Sequence, residues 1–405
     1  MKFRYWLTCA VSLLAYSHTF CQKKLVPVLD IIGTESAWLH DATVVNKKLF
    51  IINGSYKGQI ALGQDTLVSG EDRQEFVTQY KKDAASRAMT CEGIIAGVDR
   101  EFFCLVDNET FTRPVIAKFN LNNQLIWKYS LSFTDSFPSF LHLVDISFDK
   151  DNTYLLFTIS TENGQTHFSN EVITGSGNLI VKLDSRGELS AFKKIADVHT
   201  YNKLKIVNEK ICFYSVPTSM NHVTLFLDLD LQEEMHDDQL REQLKFPIWD
   251  NKEYFRIAEH GWRPKRLFLL EKYSSKTGVT ARIEPFRDTA KFQDEIYRHE
   301  ILNFGKKEIV IVYVSQGPRT GNWYLKPQIH VLLINKKTLE IQKRIVIDCD
   351  HLTSETAKNM CFKVYEKGLL IGSTYQSNCR VGNLSFGNND DTKWSSFFVV
   401  KQPLK

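Results

Sequence analysis

Seven times along this chain one phrase recurs: an alternating apolar run, a short polar turn, then a second apolar run. In the first copy Ala42-Thr43-Val44-Val45 passes through Asn46-Lys47-Lys48 into Leu49-Phe50-Ile51-Ile52. In the sixth, Ile301-Leu302-Asn303-Phe304 passes through Gly305-Lys306-Lys307-Glu308 into Ile309-Val310-Ile311-Val312. The fifth copy is the poorest, with Tyr254-Phe255-Arg256-Ile257-Ala258, a longer turn, then Leu267-Phe268-Leu269-Leu270. The second runs begin at 49, 102, 154, 211, 267, 309 and 369. Their mean step of about 53 residues is the period of a repeat architecture. Polar turns supply the breaks, and β-branched and aromatic residues supply the strands.

A third run follows most hairpins, as in Val115-Ile116-Ala117-Lys118-Phe119, and several copies add a fourth behind a tight polar turn such as Asp184-Ser185-Arg186-Gly187. A parallel α/β sheet would need helices between strands, and only short candidates exist, at 233–244 and 289–298. The pattern predicts an all-β fold, a single β-propeller of seven four-stranded blades, with six or eight left open by the degenerate fifth copy. The last copy ends after its third strand. Residues 25–32 form a spare strand before the first hairpin, expected to complete the last blade and close the ring.

The chain opens with Lys2 and Arg4, then about ten apolar residues, too few for a membrane span and typical of a secretory leader. Residues 1–21 are read as a signal peptide and 22–405 as the propeller domain. Cleavage after Ser17 and lipidation of Cys21 are alternatives. The protein is therefore expected to be exported: periplasmic, outer-membrane-associated or extracellular. No later stretch reaches membrane length. A net charge of +4, with 43% hydrophobic and 24% charged residues, gives no electrostatic case for nucleic acid.

Six cysteines follow the leader, which allows fifteen disulfide connectivities. Cys104 and Cys212 lie within apolar runs and read as buried thiols, and Cys349–Cys361 is the favoured pair. No cysteine has the close Cys/His spacing of a zinc site.

Asn53-Gly54-Ser55-Tyr56-Lys57-Gly58, Leu62-Gly63, Thr66-Leu67-Val68-Ser69 and Phe76-Val77 together resemble a repeat of secreted Bacteroidetes β-propeller proteins of largely unassigned function. The last copy is similar, with Ile371-Gly372-Ser373-Thr374-Tyr375, Leu384-Ser385-Phe386-Gly387 and Phe398-Val399-Val400-Lys401. The resemblance implies an exported propeller and names no activity.

The local chemistry is sparse. Ser147 to Tyr154 is similar to the Asp-box turn of sialidase propellers but reads as a hairpin turn. Asp348, Asp350 and His351 read as a solvated strand end, as do His40 and Asp41. Thr174-Gly175-Ser176-Gly177 misses the register of a nucleophile elbow and reads as a flexible connection. No phosphate loop or His-Glu-x-x-His motif is present. No catalytic residue, metal ligand or cofactor is assigned.

The loops that follow second strands and join blades are the better functional surface. Three are long: 315–324, 375–394, and 161–177 with His167 and Phe168. They offer Arg319, Trp323, Tyr324, Tyr375, Arg380 and Trp394 as binding residues for a glycan or a protein partner. The sequence favours an exported non-catalytic binding or scaffold module for an envelope protein or glycan. A polysaccharide-acting hydrolase or lyase is the alternative.

Overall fold

The structure, a computed structural model, describes residues 24–405 apart from 33, 47–48, 63–64, 82–83, 91, 99–100, 107–114, 121–123, 135–137, 139, 150, 170, 196–202, 208, 215–224, 234–247, 251–252, 261–266, 275–276, 286–295, 316–326, 351–355, 357–358, 377 and 388–394. The leader therefore lies outside the described residues, as do Cys91 and residues 234–244 and 289–295 of the two helix candidates. Residues 296–298 of the second candidate belong to a strand.

β1 (Val26–Ile31) opens the chain. The first sheet contains β2 (Ser36–Asn46), β3 (Leu49–Lys57), an inserted hairpin of β4 (Gln59–Leu62) and β5 (Asp65–Val68), then β6 (Gln74–Lys81) and β7 (Ala84–Thr90), paired in the order β2-β3-β6-β7. The second holds β8 (Glu92–Val98), β9 (Glu101–Val106), β10 (Val115–Asn120) and β11 (Leu125–Ser130). The third holds β12 (Phe133–Thr134), β13 (Phe140–Phe148), β14 (Thr153–Phe168), β15 (Glu171–Leu183) and β16 (Leu189–Ile195). The fourth holds β17 (Lys203–Val207), β18 (Lys210–Tyr214) and β19 (Leu225–Asp228). The fifth holds β20 (Ile248–Asp250), β21 (Glu253–His260), β22 (Leu267–Ser274) and β23 (Gly278–Ile283). The sixth holds β24 (Ile296–Phe304), β25 (Glu308–Ser315), β26 (Gln328–Asn335) and β27 (Ile341–Asp350). The last is built from β28 (Cys361–Tyr365), β29 (Gly368–Gln376), then, after a hairpin of β30 (Cys379–Val381) and β31 (Leu384–Phe386), β32 (Ser395–Pro403) and β1, in the order β28-β29-β32-β1. The protein is an all-β propeller of antiparallel meanders.

The apolar second strands have a physical reason. Successive side chains of a strand point to opposite faces, and these strands feed a different core on each face. In β25, Val310, Val312 and Val314 enter the core between the sixth and last sheets. Ile309, Ile311 and Tyr313 enter the core between the fifth and sixth. In β14, Leu155, Phe157 and Ile159 pack toward the second sheet, while Tyr154 and Leu156 pack toward the fourth. A run buried on both faces loses its polar alternation, and that loss produces the continuous apolar runs.

The turns opposite these cores share one device. Asp149 Oδ1 accepts the backbone N–H groups of Asp151 and Asn152. Asp184 Oδ1 does the same for Arg186 and Glu188, and Asp228 Oδ1 for Asp230 and Gln232. Asn335 Oδ1 accepts from Lys337 and Thr338. Each side chain closes its turn as a local backbone mimic. The Ser147–Tyr154 stretch is such a hairpin turn. Gly187, at φ +80°, completes one of them, and a Cβ there would strike the Trp127 ring.

Three expectations are corrected. In the fifth sheet, Tyr254–Ala258 is the second strand and Leu267–Leu270 the third. The first strand is the short β20, which pairs Asp250 with Glu253. Its three residues are too few to show alternation. Residues 161–177 are not a loop: β14 and β15 continue pairing as far as Phe168 and Glu171. Ser176 thus lies in a strand, its hydroxyl 2.8 Å from that of Ser160. Cys349 and Cys361 form no disulfide. Both are buried free thiols in different cores, and burial pushes the Cys361 thiol up to about 12. Cys212 is likewise a buried thiol in no disulfide, as expected.

The spare N-terminal strand does complete the last sheet. β1 pairs with β32 from Val26–Lys401 to Ile31–Phe397. Tyr375 donates its hydroxyl to Asp30 Oδ1 at 2.8 Å, Leu39 N–H donates to Thr374 Oγ1 at 3.0 Å, and Lys363 pairs with Asp41 at 3.2 Å. Both B-to-C insertions, each following the second strand of its sheet, hook the sheet before. β30 pairs with β27 of the sixth sheet, and β4 lays Ile60 and Leu62, with Leu67 of β5 packed against them, into the core shared by β1, β32 and the first sheet.

Replacing Tyr375→Phe removes the Asp30 bond, and chemical denaturation is expected to show a loss of about 1 kcal/mol. In the fifth sheet Glu271 is buried between Arg256 (2.8 Å) and Arg282 (2.7 Å). Burial works to raise its pKa, but the two guanidiniums win and hold it below the usual carboxylate range. A lowered carboxylate stabilises the fold above its unfolded pKa, and that stability fades as pH falls through the folded value. Glu271→Gln should therefore lose about 3 kcal/mol at pH 7 by breaking a buried pair. It should also lose less than the parent protein on acidification below about pH 4, as read from denaturation curves across pH.

Candidate functional site

The upper rim is where the first strand of each sheet begins and the second ends. In the first sheet that rim is built by a knot. Gly58 N–H donates to Ser69 Oγ at 2.7 Å, and Ser69 N–H returns to the Gly58 carbonyl at 2.8 Å. Thr34 fastens the knot from the preceding segment through Gln59, at 2.7 and 2.9 Å. The chain then turns through Gly70-Glu71-Asp72 and delivers Arg73 beside the start of β6. Gly54 admits the Trp38 carbonyl and the Phe76 ring where a Cβ would stand, which keeps β2 and β3 tight under the rim.

Four side chains meet there. The Arg73 guanidinium lies over the Trp38 ring at 4.3 Å, a cation–π contact. Its Nε donates to Ser55 Oγ at 2.6 Å, and its Nη2 lies 3.0 Å from His40 Nε2. Ser55 Oγ is also 3.1 Å from that nitrogen. A guanidinium has only donors, so His40 Nε2 must accept, which leaves the imidazole neutral with its hydrogen on Nδ1. Ser55 accepts from Arg73 and can donate to His40. Ser55 is buried, Trp38 half-buried, and His40 and Arg73 exposed. Beside them Tyr56 donates to Gln74 Oε1 at 3.1 Å.

A second polar group sits at the same end of the sixth sheet. Ser315 Oγ lies 2.8 Å from His330 Nε2, and the imidazole stacks on Tyr313 at 4.3 Å. His330 is buried, and its Nδ1 has no hydrogen-bond partner among the described residues. Burial, aided by the charge of Arg344 and opposed by that of Asp348, pushes its pKa down to about 4. Gln328 donates to Asp348 Oδ1 at 2.8 Å. Ser55 and Ser315 thus occupy matching rim positions on two second strands, and Ser160 sits at the equivalent level of β14, which runs on beyond it; each is bonded to a neighbouring strand.

Of the six binding residues read from sequence, Arg319, Trp323, Tyr324 and Trp394 lie outside the described residues. Arg380 is exposed and pairs with Asp350 at 2.5 Å, the strand-end carboxylate of β27. Tyr375 is corrected: it is fully buried, and its hydroxyl serves Asp30. Its place on a second strand buried on both faces carries it inward. Phe168 is buried for the same kind of reason. Arg73 escaped sequence reading because no local pattern shows a turn residue folding back over Trp38. His40 and Ser55 were both visible, but nothing in sequence indicated that they meet.

No family model matches the chain, and no curated protein matches it. Solved structures similar to it include the AfRom2 CNH domain (8% identity, 94% of this chain and 100% of that one, TM-score 0.37). The dihydro-heme d1 dehydrogenase NirN is another (9%, 98% and 85%, 0.37). So is a member of the DUF4221 family from Bacteroides vulgatus (11%, 94% and 97%, 0.31). At these scores none carries an argument for this chain.

His330 sets an acid limit on stability. A histidine with a lowered folded pKa leaves the unfolded chain binding more protons, so stability drains as pH falls from about 6.5 toward the folded value. The cost reaches about 3 kcal/mol by pH 4. His330→Asn should flatten that part of the stability–pH curve, and the His330 imidazole NMR signals should not titrate between pH 7 and 5.

Proposed function

We propose that this chain is an exported, non-catalytic propeller module that binds an envelope protein or glycan on its upper rim, in the sector formed by the sixth, last and first sheets. The observation that carries this reading is the Trp38–His40–Ser55–Arg73 group. It is a rigid constellation in which a guanidinium is fixed on three sides and still faces solvent. Sites that bind without reacting need such preorganisation.

The Ser55–His40 contact has one ingredient of a hydrolase, a hydroxyl aimed at an imidazole. Arg73 spoils it for attack, because its Nε–H occupies the Ser55 oxygen and burial keeps a substrate carbon from reaching that atom. That favours binding over polysaccharide cleavage. The leader read at residues 1–21 supports export, and the B-to-C hairpins match the two stretches that resemble secreted Bacteroidetes propellers.

Cross-linking of the processed protein in its native envelope, read by mass spectrometry, tests the reading. Cross-links are expected through Lys57 on the upper rim and not through Lys306 or Lys337 on the opposite turns. Release of shorter oligosaccharides from a polysaccharide panel would overturn it.

A further inference from the structure

We infer that the Arg73 group of the first sheet is a seat for the carboxylate of a uronic-acid-containing glycan, an inference that rests on the binding-module reading above. A guanidinium has five N–H donors. Nε is spent on Ser55 and one Nη2 hydrogen on His40, which leaves both Nη1 hydrogens and one on Nη2. Among the described residues Arg73 makes no ion pair, and neighbouring Glu71 and Asp72, both exposed, make none with it. The ordinary fate of an exposed arginine is a swinging side chain with a loose carboxylate partner. Here the fork is clamped by indole, hydroxyl and imidazole before any ligand arrives. A planar, preoriented fork with unspent donors on one edge fits a carboxylate, which accepts two parallel N–H bonds.

The charge fixes the class of anion. The four-residue group contributes one positive charge, since His40 accepts from Arg73 and Lys57 is paired with Glu35 at 3.3 Å, and the exposed Glu71 and Asp72 just before Arg73 work against an anion of higher charge. One charge suits a monoanion. Phosphate esters, nearer two charges, are usually held by several cations. The surroundings fix the carrier. No member of the group is itself among the large exposed hydrophobics of the described residues, although Val68 and Ile32 stand exposed on the segments of the knot beside it. A protein interface wants an apolar, aromatic centre. Beside the guanidinium and the half-buried Trp38 ring stand His40 and, next in the chain, the exposed Gln74, polar groups that match sugar hydroxyls.

The test is affinity electrophoresis and calorimetry of the full chain, freed of its leader, with polygalacturonate. The comparison ligands are its fully methyl-esterified form, a neutral glucan, dextran sulfate and polyglutamate. Polygalacturonate should bind, and both Arg73→Gln and esterification should weaken binding by roughly tenfold, the worth of a charge-assisted hydrogen bond. Applied together they should cost no more than one alone, because both remove the same contact. Thermal melts establish that Arg73→Gln is folded, and esterification leaves the protein untouched if it is not. Equal affinity for the ester, or for Arg73→Gln, overturns the inference. So does Arg73-dependent binding of polyglutamate, which would assign the seat to an acidic peptide. Dextran sulfate binding as tightly as polygalacturonate overturns it as plain charge attraction. An upper-rim cross-link in the envelope together with failure to bind polygalacturonate removes this inference and leaves the binding-module reading standing.

Discussion

An open sheet edge is a row of unpaired N–H and C=O groups, and without β1 the last sheet would end on β32 with that edge bare. The junction of the chain's two ends depends on how it is covered. β1 supplies the partner that β32 lacks, so the first and final residues of the domain share one sheet. The cross-sheet bonds nearby, Tyr375 to Asp30 and Lys363 to Asp41, join positions more than 300 residues apart. Burial makes such contacts matter. Desolvation raises the Asp30 pKa against the opposing hydrogen bonds from Tyr375 and Gly387, so the carboxylate depends on partners held in place by the seam.

The two ends of the sheets follow different rules. The lower turns are short and self-capping, with Asp149, Asp184, Asp228 and Asn335 each repeating one hydrogen-bond scheme. They use their polar atoms on themselves. The upper rim spends its polar groups between strands, through Ser55 and Ser315, and these contacts are not closed in the same way. Arg73 retains donors, and His330 keeps a bare Nδ1 among the described residues. The same backbone plan thus produces one end whose polar atoms close its own turns and another whose polar atoms bridge strands and keep donors exposed.

Much of the fold was legible in sequence because the second strands feed two cores at once. Ile309 to Val314 can hardly be anything but a doubly buried strand. The exceptions have definite causes. β20 is too short to alternate, so the sequence pattern places the fifth repeat one strand out of phase. Residues 161–177 carry glycine, threonine and asparagine, which read as a loop, yet an extended hairpin tolerates them because pairing supplies what propensity does not. The site was far less legible. Periodicity says which face a residue takes, and it says nothing of a side chain such as Arg73 that crosses 33 residues to reach His40. Sequence favours exposed aromatics as contact residues, and Trp38 at the rim is half-buried with the Arg73 guanidinium over its ring.

The β4–β5 hairpin has a further consequence. Its inner face is packed into the seam between β1, β32 and the first sheet, and its base, tied by Gly58 and Ser69, is the knot that presents Arg73. Seam and seat are therefore parts of one object. By thermodynamic linkage, whatever grips the open chain less tightly than the closed one must favour closure. A ligand that steadies Arg73 also steadies the hairpin, and through it the joint between the protein's first strand and its last.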